Sequence, residues 1–307
     1  MTNETRKRPW RKYVRRSLLG LGVVTMLWLF SSFATAYYFT RRIGGPTAKE
    51  PAPQFGSRNV EPHRLMTADG EELGAWFVEG KPNKPIVLLL HGYRDRRGAM
   101  TKHARFFADE GCPVLMLTFR AHGDSSGNLN DVGFSAKHDV IAGVKWLREK
   151  CPDRPLIVYG RSMGAAAAMF AAKDLGNQVA GYIWEVPYRD LYSALQNRTE
   201  LYLPPVLSWI GYAGLRLTAP VVLPYAGDIA PVRYVDDIPE SIPILLLSGK
   251  KDRRTKPEET RDIYQRVQSH ATHVVFEKAG HVDIRQSNPE KYAKVVRDFL
   301  GTIAREK

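Results

Sequence analysis

Two patterns of apolar and polar positions divide the chain. From Ser17 to Phe39 the sequence runs uncharged for 23 residues. As a helix rising 1.5 Å per residue, that run covers about 35 Å, enough for a hydrocarbon layer of about 30 Å. Past residue 60 the pattern breaks into short alternating elements. His63–Thr67 and Leu73–Val78 flank Ala68-Asp69-Gly70 and predict a hairpin. The apolar runs Ile86–Leu90, Val114–Phe119, Leu156–Tyr159, Gly181–Trp184 and Ile244–Leu247 read as buried parallel strands, with His273–Phe276 as the last. Helical spacing lies between them, over Met100–Asp109, Ala136–Lys150, Met163–Leu175, Pro257–Ser269 and Pro289–Ala304. Strand–helix alternation implies an α/β fold, a mainly parallel sheet covered by helices on both faces.

The interval from Val186 to Ile242 far exceeds the dozen or so residues that a crossover needs. Leu191–Gln196 and Leu201–Leu217 have helical character, so this insertion, about 188–240, reads as a small lid or as helices packed on the core. A second membrane crossing is excluded, because the strands on either side belong to one sheet.

Charge changes the picture only at the N-terminus. The net charge is +13 over 307 residues, but residues 1–42 hold nine Lys or Arg against Glu4 alone, eight of the thirteen excess charges. The other 265 residues therefore share an excess of five, which speaks for membrane targeting and against nucleic acid. Seven of the basic residues precede the apolar run and only Arg41 and Arg42 follow it. By the positive-inside rule, 1–16 is a cytoplasmic leader, 17–39 a transmembrane anchor, and the large domain lies outside the cytoplasm. Ala34-Thr35-Ala36 is also a plausible signal-peptidase site, and Arg15-Arg16-Ser17-Leu18-Leu19 resembles a twin-arginine signal, so export after cleavage is the alternative. The Pro- and Gly-containing stretch 40–60 reads as an extended tether, and 61–307 as one domain.

Two cysteines exclude a disulfide-stapled scaffold. Cys112 and Cys151 precede strands that a third strand should separate, roughly 10 Å at 4.8 Å per strand, so two free thiols are expected.

The chemistry begins at Gly160-Arg161-Ser162-Met163-Gly164, which follows a predicted strand and opens an Ala-rich helix. A sharp strand–helix turn there raises the Ser162 hydroxyl above the sheet, and glycines at both ends relieve crowding. A serine needs a base. Of the eight histidines, His281 follows the last strand just before the terminal helix, on a loop able to reach the same sheet edge. Asp252, on the loop after Ile244–Ser248, is the carboxylate to orient it, with Asp283 as a competitor.

With these residues in place the chain resembles the α/β-hydrolase superfamily over about 63–304, near its serine-aminopeptidase-like and dienelactone-hydrolase-like branch. The order Ser162…Asp252…His281 is that superfamily's order. Leu90-His91-Gly92-Tyr93 is similar to its oxyanion segment, which implies that the amides of Tyr93 and Met163 stabilise the oxyanion. Phe119-Arg120-Ala121-His122-Gly123-Asp124-Ser125 is similar to its structural loop after the fourth strand, with departures at Phe119 and Ala121.

The expected function is a membrane-anchored serine hydrolase that cleaves esters or thioesters of small acyl substrates through an acyl-enzyme. A peptidase or amidase of the same fold and a non-catalytic binding protein are the alternatives. No phosphate loop or metal-ligand spacing occurs, so no cofactor or metal is expected.

Overall fold

The computed structural model describes residues 10–42, 45–282 and 284–305. It opens with α1 (Trp10–Thr40), longer than the uncharged run because the basic turn before that run is also helical. A hairpin follows, β1 (Val60–Met66) and β2 (Glu72–Val78), then β3 (Ile86–Leu90), α2 (Thr101–Asp109), β4 (Val114–Leu117), α3 (Lys137–Lys150), β5 (Leu156–Arg161), α4 (Met163–Leu175) and β6 (Gly181–Glu185). The insertion holds α5 (Leu191–Tyr202) and α6 (Pro205–Val222). β7 (Ile244–Gly249), α7 (Pro257–Val267), β8 (Ala271–Phe276), α8 (Ile284–Ser287) and α9 (Pro289–Arg305) complete the chain.

The eight strands form one sheet in the order β1-β2-β4-β3-β5-β6-β7-β8. β1–β2 and β2–β4 pair antiparallel, and every neighbour pair from β4 to β8 is parallel. Strand sides explain the unbroken apolar runs. In β3, Ile86, Leu88 and Leu90 face a layer with Val140 and Val144 of α3 and Ala168 of α4. Val87 and Leu89 face the other layer, with Phe107 of α2 and Val296 and Phe299 of α9. β4 and β3 lie between the hairpin and β5, so Cys112 and Cys151 begin non-adjacent strands, and both are free thiols. Burial pushes the Cys112 thiol up to about 12, which leaves it protonated and inert.

The helices of the insertion differ from the sequence expectation. The first extends through Tyr202 and the second starts only at Pro205. Pro204 is extended, and a proline at the first helical position loses no intrahelical bond, so the Pro204-Pro205 pair sets the boundary. α6 then continues through Pro220 to Val222, past the expected end at Leu217. It packs along α1, where the Trp28 indole donates to the Ile210 carbonyl at 3.2 Å. The connection after α1 follows the domain surface. The Arg42 guanidinium donates to the Ser125 carbonyl at 2.6 Å, the Thr47 amide to the Gly123 carbonyl at 2.9 Å, and Phe55 is buried.

Candidate active site

Ser162 sits at the β5–α4 turn with φ +53° and ψ −113°. A side-chain-bearing residue there costs of order 1–3 kcal/mol, so the surroundings must impose it. The two glycines are part of that constraint. A Cβ on Gly160 would lie 2.4 Å from the Ala165 amide nitrogen, and one on Gly164 would lie 2.5 Å from the Leu90 carbonyl oxygen. The Ser162 amide donates to the Glu185 carbonyl on β6 at 2.8 Å, which ties the turn to the neighbouring strand.

His281 Nε2 lies 3.0 Å from Ser162 Oγ, and His281 Nδ1 lies 2.8 Å from Asp252 Oδ2. Three residues from three loops at the carboxyl edge of the sheet thus make one chain of hydrogen bonds. Asp252 is buried, with both oxygens partnered. Oδ1 accepts from the amides of Arg254 at 2.7 Å and Thr255 at 3.0 Å, and Oδ2 accepts from Thr255 Oγ1 at 2.7 Å. Burial works to raise its pKa, but the hydrogen bonds from His281 and Thr255 prevail and hold it below the ordinary carboxylate value. An ionised carboxylate beside Nδ1 fixes the imidazole with Nε2 toward the serine. Asp283, the competing carboxylate, lies outside the described residues.

The segment Leu90–Tyr93 passes beside the serine: a Cβ on Gly92 would stand 3.8 Å from Ser162 Cβ. Met163 opens α4, so its amide is one of those a helix leaves without an internal carbonyl. His91, fully buried, orients the other amide. Its Nδ1 lies 2.7 Å from the Gly92 carbonyl and its Nε2 accepts from the Phe119 amide at 3.0 Å. A trans peptide points its C=O and N–H in opposite directions, so anchoring Gly92 O sets where the Tyr93 N–H points. Burial depresses the His91 pKa well below the ordinary value, which keeps the ring neutral, as this donor–acceptor pairing needs. His122 supports the next residue: its Nε2 accepts from the Arg94 amide at 3.2 Å and its Nδ1 meets the Arg120 carbonyl at 2.8 Å.

Sequence reasoning singled out His281 but gave no role to His91, His122 or Thr255. The pairs His91-Gly92 and His122-Gly123 are visible in the sequence; the hydrogen bonds that the two rings accept from Phe119 and Arg94, each 28 positions away, are not. Among the described residues no cluster of His, Cys, Asp and Glu has metal-site character. The loop Phe119–Ser125 is structural, with Arg120 paired to both Asp139 and Asp69.

A model of the family described as serine aminopeptidase, S33, matches residues 81–217, and one described as TAP-like protein matches 223–306. YqkD of Bacillus subtilis is 27% identical over 245 residues, 78% of each chain. The Saccharomyces cerevisiae membrane protein YNL320W is 25% identical over 278 residues, 88% of this chain and 91% of its own. The solved esterase Pf2001 of Pyrococcus furiosus is 26% identical, with a TM-score of 0.68 over 84% of this chain and 98% of that one.

Proposed function

The chain belongs to the α/β-hydrolase superfamily, whose members similar to it include esterases, and from that premise we propose that it is a membrane-anchored serine hydrolase cleaving carboxylic esters or thioesters. The observation that carries this reading is the His281 imidazole held between Asp252 at 2.8 Å and Ser162 at 3.0 Å.

In this mechanism His281 Nε2 takes the Ser162 proton as Oγ attacks the carbonyl carbon. The resulting imidazolium is stabilised by Asp252, and the oxyanion receives hydrogen bonds from the amides of Tyr93 and Met163. One such donor is worth about 10²–10³ in rate. Collapse expels the alcohol or thiol, protonated by His281, and leaves an acyl-enzyme. Water then repeats the sequence and frees the acid.

The anchor reading draws support from α1. Among the described residues it is the one helix long and apolar enough to cross a membrane. Its Trp28 and Ser32 pack on α6, and a cut after Ala36 would separate both from the domain. Arg11, Lys12, Arg15 and Arg16 at its start favour a cytoplasmic N-terminus and a catalytic domain on the far side.

The serine aminopeptidase description of the matching family favours amide cleavage as a second reading. Fluorophosphonate labelling of the purified chain, with and without Ser162→Ala, tests for an activated serine. Rates on matched p-nitrophenyl esters, acyl thioesters and aminoacyl amides then separate the two. No labelling of the wild-type chain would sink both.

A further inference from the structure

Outside α1, ten large apolar side chains are exposed among the described residues, and eight of them lie between Tyr202 and Val221. On α6 they include Val206, Trp209, Leu217 and Val221, each 60–72% exposed, on the side turned away from the core. The other surface helices show the reverse: α7 exposes Glu258, Arg261 and Arg266, and α9 exposes Lys294, Arg297 and Asp298. α6 carries a single charge in 18 residues, Arg216. That guanidinium turns back toward α5, 5.1 Å from the Tyr192 ring centroid and 3.1 Å from the Tyr212 hydroxyl. A helix with so apolar an outer face is not built for water.

Its neighbour indicates what covers it. α1 lies along α6 through small residues: a Cβ on Gly214 would stand 2.1 Å from Ser32 Oγ and 3.0 Å from Trp28 Nε1. Close approach through Gly and Ser is how helices associate within lipid. α1 is itself exposed along most of its length, Phe30 at 70%. α1 and α5, the helix that leads into α6, border the candidate site. The Phe39 carbonyl at the end of α1 accepts from the Tyr93 hydroxyl at 2.5 Å. Arg198 of α5 donates to the Arg254 carbonyl at 2.9 Å, on the Asp252 loop. Val282, beside His281, is itself 62% exposed.

We propose that the outer face of α6 lies against the acyl layer of the bilayer that α1 enters, so that acyl esters of membrane amphiphiles reach Ser162 directly from the lipid. This rests on the membrane-anchored hydrolase reading above. α6 then lies beside the far half of α1, its apolar side toward the acyl chains, with the charged side chains of α5 on the aqueous side.

The test uses the full chain in phosphatidylcholine vesicles, with Cys151→Ser to leave only the buried Cys112. Nitroxide labels at Trp209→Cys and Leu217→Cys should collide with oxygen in preference to a water-soluble nickel chelate. A label at Met66→Cys, exposed on β1, should show the opposite preference. Equal ratios at all three positions would overturn the proposal. So would labels at 209 that shield one another from both reagents, the signature of a second copy on this face. In a parallel assay, Val206→Ser with Trp209→Ser should slow cleavage of a vesicle-borne ester roughly ten-fold or more while a soluble short-chain ester is cleaved within about two-fold of wild type. An unchanged rate on the vesicle-borne ester would also overturn it. Lipid contact at 209 and 217 in a chain that cleaves no ester would uphold the docking and sink the hydrolase reading instead.

Discussion

Thr255 Oγ1 lies 2.7 Å from Asp252 Oδ2, the same oxygen that faces His281 Nδ1. The hydroxyl also stands 3.2 Å from His281 Nδ1, so it touches both partners of the Asp252–His281 hydrogen bond. Asp252 therefore holds its orientation through two backbone amides and one side chain as well as through histidine. Thr255→Val should lower kcat/KM about ten-fold, the worth of one hydrogen bond to a charged acceptor. Asp252→Asn should cost up to about 10⁴-fold, since the imidazole then rests in the wrong tautomer. Equal, small effects of both, with Asp283→Asn harmful, would move the carboxylate role away from Asp252.

Ser162→Ala should abolish hydrolysis and fluorophosphonate labelling while circular dichroism stays unchanged, and His281→Ala should be nearly as damaging. Removing a single triad member costs as much as about 10⁶ in rate. A tenth of wild-type activity in Ser162→Ala would exclude its hydroxyl as the acyl acceptor.

Buried neutral histidines make stability depend on pH. Burial lowers the pKa of both His91 and His122 below the ordinary value. Below about pH 6.5 the unfolded chain binds protons there that the folded chain refuses, so stability falls with falling pH, by up to about 1.4 kcal/mol per pH unit for each group. The urea midpoint should drop between pH 7 and pH 5, and His91→Gln should flatten that slope. Identical slopes for the two proteins would show that His91 titrates alike folded and unfolded.

Gly164→Ala should destabilise by about 3 kcal/mol or more, because its methyl meets backbone on β3 that has no room to move. Gly227→Ala, with nothing within 4 Å of the new Cβ, serves as the control. Chemical denaturation of the two variants gives the comparison directly, and similar midpoints would argue against a tightly packed elbow.

Deleting residues 1–59 keeps every proposed catalytic group but uncovers the α6 surface that α1 packs on and removes the buried Phe55. The shortened chain should aggregate without detergent and elute as a defined species with it. A monodisperse, detergent-free monomer would mean that α1 contributes little to covering α6.

What the sequence determined by itself is what neighbouring residues encode. The runs Ile86–Leu90 and Leu156–Tyr159 announce strands because a buried parallel strand is apolar on both sides. Gly160-Arg161-Ser162-Met163-Gly164 announces the elbow because the crowding that demands glycine arises within a few residues and against the adjacent strand. The order Ser162…Asp252…His281 was legible for the same reason: each residue follows its own strand, and parallel strands bring their carboxyl ends to one edge. Tertiary structure decided what depends on distance in the chain. That His281 meets Ser162 across 119 positions is a property of the assembled sheet, not of either loop. The work of Thr255 and His91, a hydroxyl and a ring among many, exists only once Asp252 and the Phe119 amide stand beside them. The pairing of α1 with α6 was equally hidden, because small residues such as Ser32 and Gly214 mark a close approach only when both helices are in place.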